Sequence, residues 1–379
     1  MIVFFVVLRI ESQKMTTIKD ITNYLETIAP LSLQESYDNC GLIIGDDQKE
    51  VTGILICLDS TEEVVLEAKK NRCNLIVAHH PIIFSGLKKL NGSTYIERTV
   101  ISAIKNDIAI YAAHTNMDNI LMGVNKVIAD KLGLINTKIL SPKMDLLRKL
   151  VVFCPVTHSD QLRQALFAAG GGEIGNYDNC SFNVEGTGTF RPLEGANPTT
   201  GVIGKVASGK EVRIEILFEK FKKSHILKAL FDNHPYEEIA YDIFPLENIY
   251  QNIGSGMIGE LDQEMDEMTF LKHLKMVMGV GALKYTTLLG KKVKRIALCG
   301  GSGSFLLNDA INADAQIFIT SDFKYHQFFD AEKKVVIADI GHFESEQYTM
   351  ELFKSLILKN FSKFAVRLTE VKTNPVNYL

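Results

Sequence analysis

The sequence predicts an α/β protein of mostly parallel sheets flanked by helices, interrupted by an inserted ferredoxin-like domain. Three observations carry that reading. Near-continuously apolar strand segments alternate with helical stripes at both ends of the chain, the pattern of a parallel sheet covered on both faces. Between them the order changes to β-α-β-β-α-β, the ferredoxin-like succession. And 379 residues exceed a single core, so two or three units are expected at about 150 residues each.

The elements follow in order. Residues 1–14 carry an apolar run too short to span a bilayer, with no basic segment before it and no small-residue cleavage site after it. They read as a non-structural extension, an upstream mis-start before Met15. From Thr17, apolar residues at 18, 21, 24, 25 and 28 make a helical stripe, opened by Thr17 with Asp20 and closed by Pro30. VTGILICLD (51–59) is a strand, and Ser60 with Glu63 caps a helix to about Lys70. NLIVAH (74–79), a helix over 94–106 and AIYAAHT (109–115) complete a first half, 15–146. The insert, 147–250, holds LVVFCPV (150–156), a helix from Ser159 to Ala169, strands at 180–190 and 212–218, a helix over HILKALF, and YEEIAYDIF (236–244). The α/β pattern resumes over 251–379 with buried-strand text at 293–301, 315–322 and 334–340. A long helix at roughly 343–361 and an edge strand at 364–371 end the chain.

Bulk properties narrow the function classes. Hydrophobic content of 46% and charged content of 23% describe a soluble globular chain. A net charge of -4 argues against nonspecific affinity for nucleic acid or anionic lipid. Six scattered cysteines without a CxxC pair read as buried thiols of a reducing cytoplasm.

In open parallel sheets, ligands bind beyond the carboxyl ends of the strands. Three such ends carry metal-type side chains: His79 and His80 before Pro81; His114 and Asp118 in AAHTNMDN; and His342, Glu344 and Glu346 in ADIGHFESE. His342 and Glu346, at i and i+4, share one helix face, whereas Glu344 points elsewhere and reads as solvated. Neighbours on an extended chain face opposite ways, so the adjacent histidines do not easily chelate one ion. At the bend before Pro81 they can reach two ions of a close pair, held about 3.5–4 Å apart by a bridging carboxylate. His79, His80, Asp118, His342 and Glu346 form a mixed N/O set suited to two divalent ions, Zn, Fe or Mn. His114 is an orienter or an extra ligand, and the bland alternative is a polar cleft without metal.

Two further strand ends are candidates. CGGSGSF is a Gly-rich turn whose Gly301, Ser302 and Gly303 could offer N–H groups to a phosphate, or could simply be a turn. TSDFKYHQ brings His326, a candidate general acid or base or else a hydrogen-bonded loop histidine. YDNCGLIIGD (37–46) reads as a Gly-punctuated loop closing the cleft.

Together and in order, DNCGLIIG, VAHHPIIF, HTNMDN, CGGSG, TSDFKYH and GHFESE resemble the GTP cyclohydrolase 1 type 2 homolog family of dinuclear metal-centre hexameric proteins. The likeness runs from about Thr16 to Leu379. GNYDNCSF, GTGTFRP, EGANP and HPYEE resemble the PII/CutA-like insert of its longer branch. The resemblance implies a dinuclear metal site on the five residues named and a toroidal homohexamer with its metals facing an internal cavity. It also implies hydrolytic opening of the guanine ring of GTP with formate release. A metal-handling or regulatory protein without nucleotide turnover is the alternative, as is a dinuclear phosphoesterase or amidohydrolase.

Overall fold

A computed structural model describes residues 15–379, so the reading of residues 1–14 as an extension lies outside the described residues. Two units emerge: the chain up to Ser141 together with Gly254–Leu379, and Pro142–Ile253. The second unit begins and ends a few residues outside 147–250, because Lys143 N–H donates to Ile253 O at 2.9 Å and draws both ends of the insert together.

The first unit opens with α1 (Ile18–Ile28), where Thr17 and Asp20 make a reciprocal capping box and Ile18, Ile21 and Leu25 bury the apolar stripe. There follow β1 (Gly41–Ile44), β2 (Ile54–Cys57), α2 (Glu62–Lys70), β3 (Leu75–Ala78), α3 (Tyr95–Lys105), β4 (Ala109–Ala112), α4 (Thr115–Asp118), α5 (Val124–Lys131) and β5 (Ile135–Pro142). The cap of α2 is Thr61, whose side chain accepts from Val64 N–H, and Ser60 is buried one residue earlier. The segment expected as a closing loop at 37–46 instead contains β1.

The insert comprises β6 (Leu147–Pro155), α6 (Ser159–Ala168), β7 (Phe182–Phe190), β8 (Ala207–Glu219), α7 (Lys223–Asn233) and β9 (Tyr241–Leu246). Its strands lie in the order β7-β8-β6-β9, every neighbour antiparallel. Alternate residues Val212, Ile214, Ile216 and Phe218 of β8 pack with Leu162 and Leu166 of α6 and Ile226 and Leu230 of α7.

The chain then returns through β10 (Gly254–Asp266), α8 (Glu267–Val277), β11 (Lys284–Tyr285), β12 (Lys292–Ser302), α9 (Leu307–Asn312), β13 (Ile317–Ser321) and β14 (Val336–Asp339). It closes with α10 (His342–Glu346), α11 (Thr349–Asn360) and β15 (Val366–Leu368). The first unit thus holds two sheets, ordered β1-β4-β3-β2-β15 and β11-β14-β13-β12-β10-β5. In the first, β4, β3, β2 and β15 run parallel and only β1 is antiparallel. In the second, β12, β13 and β14 are parallel between antiparallel β10 and β11. Every residue of β2, β3 and β4 is buried, which explains the unbroken apolar text, and each large aliphatic side chain so buried stabilises by about 1.5–3 kcal/mol.

The long final helix expected at 343–361 is two helices. A turn at Gln347 and Tyr348 separates them, where Gln347 Nε2 donates to Met278 O at 2.9 Å and Tyr348 hydroxyl to Val277 O at 3.1 Å. Among the described residues no helix is long and apolar enough to cross a membrane.

Candidate metal centre

The carboxyl rims of β3, β4 and β14 converge. His79 and His80 continue the β3 ladder, their N–H groups donating to Cys57 O and Leu58 O, until Pro81, which has no N–H, ends it. Asp118 closes the short α4 after β4, and His342 and Glu346 bracket α10 after β14. The donor atoms fall into three overlapping groups, each within 4.8 Å: His79 with Asp118 and Glu346; His80 with His342 and Glu346; and His79, His80 and His114.

Glu346 is shared, and its two oxygens divide. Oε1 lies 3.7 Å from His79 Nε2, while Oε2 lies 2.9 Å from His80 Nε2 and 3.1 Å from His342 Nε2. His79 Nε2 and Asp118 Oδ1 are buried, 3.6 Å apart, and neither has a hydrogen-bond partner among the described residues. Buried polar atoms without partners are rare in folded proteins, and a pair of them aimed at a common point suits a cation. Two imidazole nitrogens, those of His80 and His342, also face each other at 3.3 Å.

The outer ring explains why. His79 Nδ1 donates to Ala113 O at 2.9 Å, and a carbonyl only accepts, so Nε2 is left as the lone-pair nitrogen. His80 Nδ1 pairs with Asp59 at 2.7 Å, His342 Nδ1 with Asp322 at 2.6 Å and His114 Nδ1 with Asp38 at 2.9 Å. Each imidazole is thereby turned so that Nε2 points inward, the arrangement that carboxylate partners give to metal-ligating histidines. His114 accordingly stands among the donors. Asp38, Asp59 and Asp322 were not singled out by sequence as orienters. Asp59 and Asp322 follow strands that end on this same rim, which was the available signal.

Charge follows from this packing. Burial drives His79 down to about 4, so it is neutral at neutral pH. Burial also opposes the charged form of His80 and His342, but Asp59, Asp322 and Glu346 outweigh it and raise them to about 9 and about 11. Burial likewise opposes ionisation of Glu346, yet His79 first, and then His342 and His80 through hydrogen bonds, hold it well below the usual carboxylate range. Asp118 is pushed up, by burial first and then by the Glu346 carboxylate. Cys299 lines the same cavity, where burial pushes its thiol up, and it belongs to none of the three donor groups among the described residues.

The remaining sequence candidates stand elsewhere or do other work. Gly301 N–H donates to Ser345 Oγ and Gly303 N–H to Thr320 Oγ1, both at 2.9 Å, and Gly300 N–H donates to Asn125 Oδ1. The turn at Gly301, Ser302 and Gly303 therefore does not hold these N–H groups open for a phosphate. Gly301 instead serves the cluster of candidate donors: with φ +62° and an ideal Cβ 2.3 Å from Glu346 Oε1, it gives that carboxylate room. His326 is exposed, its ring against Tyr325 and Phe329, and is not among the residues lining the cavity above the cluster. Glu344, expected as solvated, is buried and accepts from Asn374 Nδ2 at 3.1 Å. The cavity has a volume of about 1100 Å³, with Phe84, Tyr95, Phe305 and Tyr378 among its walls.

Residues 16–375 match the family model described as Duf34/NIF3 (NGG1p interacting factor 3). A Halalkalibacterium halodurans protein named GTP cyclohydrolase 1 type 2 homolog is 38% identical, the alignment covering 95% of this chain and 98% of that one. A Bacillus subtilis protein of the same name is 35% identical over 95% and 98%. The crystal structure of a Bacillus cereus protein related to NIF3 superposes with a TM-score of 0.85 at 37% identity, covering 97% of this chain and 100% of that one.

Proposed function

The chain belongs to the Duf34/NIF3 family, and on that premise we propose that its convergent cluster binds two divalent cations, Zn, Fe or Mn, and acts as a metal-dependent hydrolase. One observation carries the reading: Glu346 presents one oxygen to His79 and Asp118 and the other toward His80 and His342. The orphaned His79 Nε2 and Asp118 Oδ1 fit a cation, and the N/O donor set suits these metals better than Ca or Mg. Bound as a pair, such ions supply a nucleophile at neutral pH and polarise the bond under attack. The chain's part is to fix Nε2 of each histidine inward, keep Glu346 ionised, and enclose the reacting group in a cavity large enough for a nucleotide-sized ligand.

The substrate reading follows the relatives' name: hydrolytic opening of the guanine ring of GTP with release of formate. Purified chain loaded with Zn, Mn or Fe and incubated with GTP is expected to release formate, and His80→Ala and Glu346→Ala to abolish it. Tight binding of two cations without formate from any loaded form would replace this reading with metal handling without turnover.

The wider reading is of a cytoplasmic chain that assembles as a toroidal homohexamer around an internal cavity. Its insert is ferredoxin-like, for which the strand order β7-β8-β6-β9 and two intervening helices speak. Light scattering on the full chain tests the ring: a mass near that of one protomer rejects it.

A further inference from the structure

The last residues of the chain return to the metal cluster. β15 runs parallel to β2, and the ladder continues as Thr369 N–H donates to Ile56 O at 2.8 Å. Glu370 N–H donates to Glu67 Oε1 at 2.9 Å, fixing the backbone beyond the strand. The chain thus reaches the rim where Asp59 follows β2. There Thr373 Oγ1 donates to Asp59 Oδ2 at 3.1 Å, while Asp59 Oδ1 holds His80 Nδ1 at 2.7 Å. One residue on, Asn374 Nδ2 donates to Glu344 Oε1 on α10, the helix that carries His342 and Glu346. Tyr378 lines the same cavity beside Glu344.

A carboxylate held by one oxygen can still swing about its last side-chain torsion. Held by both, it cannot. Thr373 therefore fixes the plane in which Asp59 presents its other oxygen to His80. The contact is also one-sided. His79 takes its orientation from Ala113 O and His114 from Asp38, and neither bond involves the C-terminal residues.

We propose that residues 373–378 are a positioning strap for one of the two cations: Thr373 orients His80 through Asp59, so this contact sets affinity at the position of His80 and His342 rather than at that of His79 and Asp118, while Asn374 steadies α10, which carries the shared Glu346. The proposal rests on the two-cation reading and names chain residues that act on it through other residues.

The test is titration of the full chain with Mn²⁺, followed by calorimetry and by electron paramagnetic resonance, which separates a coupled ion pair from a lone ion. Wild type is expected to bind two ions. Thr373→Val, of equal shape without the hydroxyl, is expected to weaken one position by about tenfold and leave the other within about twofold. Thr373→Ser is expected to restore wild-type behaviour. A chain ending at Lys372 is expected to hold one ion with a lone-ion spectrum; if that chain does not fold, Thr373→Val decides. Two unchanged affinities in Thr373→Val, or equal weakening at both positions, overturn the strap. Fewer than two ions on wild type overturns the two-cation reading, and the strap with it.

Discussion

Adding a single carbon at Gly301 tests how tightly the cluster is built. An ideal Cβ there lies 2.3 Å from Oε1 of Glu346 and 3.2 Å from its Cδ, and φ is +62°. A left-handed alanine costs about 1–2 kcal/mol by backbone strain alone. Close carbon–oxygen contacts rest at about 3.3–3.6 Å, so Glu346 must also retreat by about 1 Å. It has little room, being 2% exposed with Oε2 against His80 and His342, and overpacking of this kind costs about 1–3 kcal/mol more. Gly133 supplies the control, since its φ is +68° and nothing lies within 4 Å of its ideal Cβ. Gly133→Ala should lose only the strain of about 1–2 kcal/mol in urea unfolding and titrate with Zn²⁺ as wild type does. Gly301→Ala should lose about 2–5 kcal/mol and weaken cation binding on the Oε1 side at least about tenfold. Equal losses in the two variants, with wild-type Zn²⁺ affinity in both, would refute the claim that Gly301 exists to admit Glu346.

Two further outcomes follow from the charges. Glu346→Gln removes the anion between the two donor groups, and two dications about 4 Å apart repel by on the order of 16 kcal/mol at an effective dielectric near 20. That variant should hold at most one cation by elemental analysis, and retention of two would contradict the bridging role. His80 and His342, raised to about 9 and about 11 by carboxylates that outweigh burial, both carry protons at pH 7 in the metal-free chain. A cation must displace those protons, so loading at pH 7 should release about two, and affinity should climb as pH rises from 7 toward 9. Calorimetry in two buffers of different ionisation enthalpy counts them; heat independent of buffer would show the histidines already neutral.

Strands buried on both faces were the most legible part of the fold. β2, β3, β4, β12, β13 and β14 announce themselves because parallel neighbours leave no polar face to interrupt the apolar run. β5 and β11 were missed for the opposite reason: one carries exposed Ile135 and Asn136, and the other is two residues long and exposed. The metal-type side chains were visible as histidines and acids at strand ends, but their orienters were not. An aspartate after a strand reads the same whether it faces water or an imidazole, and only the fold sets Asp59 2.7 Å from His80. The Gly-rich turn misled because glycine has two uses, freeing an N–H for a ligand and making room for a neighbour. At Gly301 the side chain that needs the room is 45 positions further along the chain.

Sequence separation then has a physical consequence. His80 and Glu346 are 266 residues apart, with the whole insert between them, yet lie 2.9 Å apart. Within the insert's own unit, the bond from Lys143 to Ile253 holds its two ends together. Donors from before the insert meet donors from after it only once both parts of the first unit have folded onto each other. Cation binding and that folding are therefore linked: a cation present at a hundred times its Kd adds about 2.7 kcal/mol to the folded state. In the metal-free chain the protons on His80 and His342 do part of the same work, placing positive charge against Glu346, Asp59 and Asp322 until a cation displaces them.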